Sequence, residues 1–288
     1  GVAAAGLKCV SSAMTTLLGG FVNVVGPNVS TAARSALPSL ATPGLASAIV
    51  AFGAAVTVGV AAAVTRRRSK PSALRDGLNP TIDMQMLSSF PFVHWLWQHV
   101  YAREECLAFT EGRLSLGNLQ QAWQQHFEFG VAPHNQMEDE ILFPIFRELP
   151  EGSVAIGRLE QQHHRLDALA ADVDRFLARG QWVEAQSVMG VYGRAYIEHV
   201  NLEEALLIPL CQHLSQPTVQ KVSLQIKTFV KNAPGSTLAL CLFGEVCTRY
   251  PELESQYRRG FPAFLRAVLI PTLRVVNPLY RRHRAIFG

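Results

Sequence analysis

Two stretches of the sequence repeat the same spacing of a histidine, acidic residues and a proline. They are HNQMEDEILFPIF, which begins at His134, and HVNLEEALLIPLC, which begins at His199. In each stretch a glutamate, Glu138 or Glu203, follows the histidine by four positions, so the two side chains would share one face of a helix. Apolar neighbours place both pairs on or beside the buried face, where a carboxylate needs an ion pair or a metal. The repeat therefore predicts a metal site with ligands from two helices.

Such a site requires helices, and the chain from about residue 90 onward has helical periodicity without a convincing alternating strand. Short breaks that contain glycine or proline separate four expected helices, near 90–112, 117–148, 153–178 and 181–214. Because short breaks join antiparallel neighbours, the expected fold class is all-α, with an up-down four-helix bundle at 90–214. Shorter helices are expected in a C-terminal extension at 215–288.

The first and third helices should also contribute ligands. On the third helix, His163 lies on the apolar stripe and should face inward, and Asp167, one turn later, is a possible ligand or hydrogen-bond acceptor. On the first helix, His94 and His99 are both available, and the stripe of apolar residues favours His99. Imidazole and carboxylate ligands together suit iron, manganese or zinc. Four other histidines are expected at the surface, or at most behind the ligands: His94, His126, His164 and His213.

These motifs resemble those of the hemerythrin-like, HHE cation-binding domain over roughly residues 90–214. The two HxxxE motifs carry most of the resemblance, QHHRLD on the third helix is similar to the family's QHxxLD, and HVYAREE at 99–105 is similar to the first helix of its iron-sensing plant and animal members. The resemblance implies a four-helix bundle around a non-haem di-iron centre bridged by carboxylates. Carried over residue by residue, it implies these ligands: His99, His134, Glu138, His163, His199 and Glu203.

Two positions depart from the patterns of the family. The oxygen-carrying hemerythrins have a second histidine one turn after the third-helix histidine, where this chain has Asp167. The iron sensors often have an acid directly after the second-helix histidine, where this chain has Asn135. Reversible oxygen carriage with five histidines is therefore not expected, and the second iron would have fewer ligands.

The segment before the bundle differs in charge from the rest of the chain. Residues 1–75 contain seven basic and no acidic residues, whereas the remainder has 19 basic and 22 acidic residues, a balance of −3. This balance does not indicate a nucleic-acid partner for the main domain. Residues 1–44, rich in alanine, serine, threonine, glycine and valine, resemble an organelle-targeting segment. Five scattered cysteines without a CxxC pair predict neither a disulfide framework nor a zinc site.

A membrane anchor is expected at 45–65. The stretch LASAIVAFGAAVTVGVAAAV has no charged residue and is followed by a basic cluster at 66–70. A helix of this length spans the hydrocarbon core of a bilayer, and the basic flank would place the bundle on the stromal or matrix side. A buried alanine-rich helix or a long signal core is the alternative. A polar linker at 66–89 would join the anchor to the bundle.

These features predict a membrane-anchored protein that binds a di-iron centre in order to bind or sense iron, oxygen or nitric oxide. The alternative is an accessory scaffold subunit of a large photosynthetic or respiratory complex, whose metal centre is vestigial or structural. Either protein would contact lipid through 45–65, in the thylakoid or mitochondrial inner membrane, and the second would contact other subunits. An oxidase or peroxidase ranks last because no substrate pocket is recognisable, so enzymatic activity is not favoured.

Overall fold

The computed structural model describes residues 90–250 and 265–288, together with the isolated positions Arg258 and Ala263. Every regular element in these residues is a helix, so the all-α prediction is confirmed for this part of the chain. The expected targeting segment, membrane anchor and linker at 1–89 lie outside the described residues. Within the described residues, no helix is both long enough and apolar enough to span a bilayer.

Four helical stretches form the bundle, and the second of them is built from three α-helices joined end to end. In chain order the α-helices are α1 (Val93–Thr110), α2 (Leu119–His126), α3 (Ala132–Met137), α4 (Phe143–Arg147), α5 (Gly152–Ala178) and α6 (Trp182–Leu210). The π-helical segments Phe127–Val131 and Glu138–Leu142 join α2 to α3 and α3 to α4. The most extensive packing is that of α6 against α5 and against α1.

A proline follows each of these π-helical segments by two residues. Pro133 comes after the first segment and Pro144 after the second, and Pro271 has the same relation to the segment Leu265–Leu269. Proline has no N–H to donate, and its ring clashes with the carbonyl four residues earlier. A π-helical turn, which pairs residues five apart, accommodates that break in the α-helical pattern. The second stretch of the bundle therefore stays helical through His134 despite its prolines.

In the described residues after the bundle there are four further α-helices: α7 (Gln216–Asn232), α8 (Ser236–Arg249), α9 (Ile270–Val276) and α10 (Pro278–Phe287). Helix α7 contacts α3 and the π-helical segment after it, whereas α8 packs on α1 and α10 packs on α2. These helices cover the side of the bundle formed by its first two helical stretches.

Helices α1 and α6 approach each other closely at Gly193. A Cβ atom at this position would lie 2.8 Å from the carbonyl oxygen of Cys106 and 3.1 Å from Cγ2 of Thr110. Only glycine therefore permits this separation of the two helices. The close contact lies on the same helix pair that carries His99 and Glu203.

Candidate metal centre

The six residues expected as ligands lie together inside the bundle, and one or two of them come from each helical stretch. Their potential ligand atoms fall into two groups, with the atoms of each group within 4.8 Å of one another: His99, His134, Glu138 and Glu203 form the His99 group, and Glu138, His163 and His199 form the His163 group. All six side chains are buried. Asp167 is exposed and belongs to neither group.

Two carboxylates lie between the groups. Oε1 of Glu138 is 2.8 Å from Nε2 of His134, and its Oε2 is 3.5 Å from Nε2 of His163. Oε2 of Glu203 is 3.4 Å from Nε2 of His99 and 3.6 Å from Nε2 of His199. Glu138 therefore belongs to both groups, and Glu203 of the His99 group also lies close to His199 of the His163 group.

The four imidazoles turn Nε2 toward the centre and Nδ1 toward an oxygen behind it. The Nδ1 partners are Glu204 for His99 at 2.8 Å, Gln98 for His134 at 2.6 Å, Gln162 for His199 at 3.0 Å and Asp139 for His163 at 3.5 Å. Carboxylate and amide oxygens accept, so Nδ1 donates and carries the proton. A neutral imidazole has only one N–H, and Nε2 is then left with a free lone pair for a metal.

The Nε2 atoms face one another in two pairs. Those of His99 and His134 are 3.0 Å apart, and those of His163 and His199 are 3.1 Å apart. Two nitrogen lone pairs at this distance repel each other unless a proton or a cation lies between them. Burial lowers the pKa of His199 to about 3 and also lowers the pKa of His134. Burial therefore favours the neutral form of both imidazoles, which is the form that binds a metal.

The buried carboxylates of the centre also fit a cation. Oε2 of Glu138 and both carboxylate oxygens of Glu203 have no hydrogen-bond partner. Burial alone would raise the pKa of Glu138, but the charge of His134 and its hydrogen bond lower it well below its ordinary value. Burial raises the pKa of Glu203 well above its ordinary value, and the charge of Glu138 raises it further. The two pKa values therefore shift in opposite directions, as expected for two carboxylates that share one buried site.

The residues that orient the imidazoles were not identified from the sequence. Each of them is the chain neighbour of one ligand and serves an imidazole on another helix. Gln98 precedes His99 and accepts from His134, for example, and Glu204 follows Glu203 and accepts from His99. A polar residue directly next to a ligand in the sequence could have indicated these acceptors. Adjacent side chains on a helix point in different directions, so one can bind the metal while its neighbour reaches an imidazole on another helix.

Two more buried residues in this region make polar contacts. The indole N–H of Trp95 donates a hydrogen bond to Oε1 of Glu138. His126 was expected at the surface or behind the ligands, but it is fully buried and pairs with Glu105. The ring of His126 also lies against four aromatic rings, those of Phe109, Trp123, Tyr192 and Tyr196. His164 and His213 are exposed, as expected.

A cleft in the surface reaches the centre on the side of His163. It has a volume of about 340 Å³, and its lining includes Phe143 and the charged or titratable residues Asp139, Arg147, Glu160, His163, His164 and Asp167. His163 is 6% exposed, more than any of the other five expected ligands. Among the described residues, the centre is therefore nearest to solvent at His163.

Residues 92–211 match the family model of the Hemerythrin HHE cation binding domain. This range includes α1 to α6 and all six residues of the two groups. No curated protein and no solved structure matches the chain. The buried histidines and glutamates in this range are consistent with a metal site. Residues 92–211 are therefore a hemerythrin HHE cation-binding domain.

Proposed function

We propose that residues 92–211 bind a non-haem di-iron centre and that the protein uses this centre to bind or sense iron, oxygen or nitric oxide. The proposed ligands are His99, His134, Glu138, His163, His199 and Glu203. The observation that carries the proposal is the pair of buried groups that share Glu138, with four imidazole Nε2 atoms directed inward.

The donor set supports iron. It combines imidazole nitrogens with carboxylate oxygens, and within the described residues no cysteine belongs to either group. Such mixed nitrogen and oxygen ligands suit iron or manganese, whereas thiolates would favour zinc or copper(I). When bound, iron would supply redox chemistry and open positions for a small gas. The side chains of the chain hold the imidazoles in one tautomer, bridge the two groups and exclude bulk water.

Metal analysis of the full chain, purified in detergent and loaded with Fe(II) without oxygen, tests this proposal. We expect about two irons per chain for the wild type and none for Glu138→Ala/Glu203→Ala, because both carboxylates of the proposed ligand set are lost. His164→Ala is the matched control, since this exposed histidine adjoins His163 in the chain; it should retain two irons. A folded wild-type protein without iron would overturn the proposal and favour the scaffold subunit.

We further propose that 45–65 anchors the domain to a thylakoid or mitochondrial inner membrane, with the bundle on the stromal or matrix side and with other subunits of a complex as partners. The uncharged stretch and the acid-free residues 1–75 support this proposal. Extraction of isolated organelles with alkaline carbonate should leave the protein in the membrane fraction. Release into the supernatant would contradict the anchor. Migration with a large assembly on native gels would favour a complex subunit over a separate sensor.

A further inference from the structure

We infer that Glu204, held by Arg103, is a positioning residue that strengthens His99 as a metal ligand. As a result, the His99 group binds the first metal ion and the His163 group binds the second. This inference rests on the proposed metal-binding function. It concerns the order in which the two groups bind metal ions and the affinity of each group.

A buried chain of polar contacts lies behind His99. Nδ1 of His99 is 2.8 Å from Oε1 of Glu204, and Oε2 of Glu204 is 2.7 Å from Nη2 of Arg103. Nε of Arg103 donates to Oδ1 of Asn201 at 3.0 Å, which fixes the orientation of the guanidinium. His99, Glu204 and Arg103 are at most 3% exposed. The salt bridge with Arg103 keeps Glu204 charged and fixes it against the imidazole.

The other three imidazoles have weaker acceptors behind them. Those of His134 and His199 are the neutral amide oxygens of Gln98 and Gln162. That of His163 is a carboxylate, Asp139, but the contact is 3.5 Å long and the Asp139 side chain is 55% exposed. Only His99, among these four, therefore has a close and buried carboxylate behind it.

A charged acceptor changes the imidazole more than a neutral one does. Hydrogen bonds to an ionised group are about twice as strong as neutral ones, and they are stronger still where water is excluded. An acceptor behind a ligating histidine raises the electron density on its metal-binding nitrogen and fixes the plane of the ring. Nε2 of His99 should therefore bind a cation more tightly than the other imidazole nitrogens of the centre.

The surroundings of the two groups lead to the same order of filling. The residues of both groups are buried, but the His99 group offers ligand atoms from four residues, whereas the His163 group offers ligand atoms from three. The His163 group also adjoins the surface cleft through His163 and Asp139. A cation in this group would have fewer protein ligands and easier exchange with solvent. The His163 group should thus fill last and empty first.

Titration of the metal-free full chain with Co(II) in detergent tests the inference, because Co(II) has ligand preferences close to those of Fe(II) and a visible absorption spectrum. We expect two binding steps for the wild type. His134→Ala should remove the tighter step and His163→Ala the weaker one, since each belongs to one group only. The reverse assignment would overturn the inferred order.

The role of Glu204 is tested by Glu204→Gln, which replaces the charged acceptor with a neutral one of the same shape. The dissociation constant of the tighter step should rise about 10- to 100-fold, and the spectrum of the singly loaded protein should shift. Gln162→Ala is the matched control, because it removes the acceptor behind His199; it should weaken only the second step and leave the first spectrum unchanged.

Glu204→Gln leaves Arg103 without its carboxylate partner and could impair folding, so Arg103→Met/Glu204→Gln removes both charges together. This double variant should show the same loss in the tighter step, with the helical circular dichroism of the wild type. A tighter step unchanged in both variants would overturn the inference while leaving two-metal binding intact. A wild type that binds no Co(II) and no Fe(II) would instead overturn the proposed function itself.

Discussion

Nε2 of His283 lies 2.5 Å from Oε1 of Glu105, so the last helix, α10, is joined to α1 by a buried polar contact between residues 178 positions apart. The other carboxylate oxygen of Glu105 lies 2.7 Å from Nδ1 of His126. Burial alone would raise the pKa of Glu105, but hydrogen bonds and charges of His126 and His283 lower it to about 2. An ionised carboxylate therefore connects α10 to the bundle interior.

This carboxylate should make the stability of the protein depend on acidic pH. The pKa of Glu105 falls from an ordinary value of 4.5 to about 2 on folding. Its contribution to the free energy of unfolding, at most roughly 3 kcal/mol, is therefore fully present above pH 4.5 and is lost as the pH falls toward 2. Urea unfolding of the metal-free protein at pH 6 and pH 3 measures this loss. Glu105→Gln should lose less stability between the two pH values, and an equal loss would contradict the prediction.

Replacement of His283 by alanine should loosen α10 without affecting the metal centre. The change leaves one oxygen of a buried carboxylate without its partner, at a cost of about 1–3 kcal/mol. Hydrogen exchange should therefore be faster in 278–287, while iron content stays at the wild-type value. His213→Ala, at an exposed histidine, is the control and should change neither measurement. Unchanged exchange in the His283 variant would show that other contacts hold α10.

Local patterns explain why the ligands could be predicted and the contacts of Glu105 could not. His134 and Glu138 are four residues apart, so helical periodicity alone places them side by side. His126 and His283 lie 21 and 178 positions from Glu105, and a contact over such distances depends on how whole helices pack. The amphipathic pattern of the sequence also does not distinguish a polar side chain that faces solvent from a buried one that forms a hydrogen bond or an ion pair.

The composition of the second helical stretch explains another difference between sequence and structure. Pro133 and Pro144 are residues that commonly end or kink a helix. In the structure, each proline instead follows a π-helical segment of five residues. Such a segment is too short to show a hydrophobic period of its own in the sequence. The extent of the stretch was predictable from the apolar pattern, whereas its π-helical segments were not.

Gly193→Ala should destabilise the protein because α1 and α6 are in close contact there. The added methyl group would lie 2.8 Å from the carbonyl oxygen of Cys106, and overpacking of this kind costs about 1–3 kcal/mol. Gly157→Ala is the matched control: this glycine lies within α5 and has open space where the Cβ would be. The control should be up to about 1 kcal/mol more stable, since alanine favours a helix. Chemical denaturation compares the two, and similar effects would contradict the role of Gly193.

Asp167→Ala should leave the number of bound irons unchanged, although the sequence made Asp167 a possible ligand. It lies one turn after His163, but its side chain is exposed in the lining of the cleft and outside both groups of ligand atoms. Its negative charge is one of several that act on His163, so its removal should alter how fast iron is taken up more than how much is bound. Metal analysis and stopped-flow loading with Fe(II) separate these effects. Loss of one iron per chain would show that Asp167 moves inward to bind the metal, whereas Glu203→Ala should reduce the iron content.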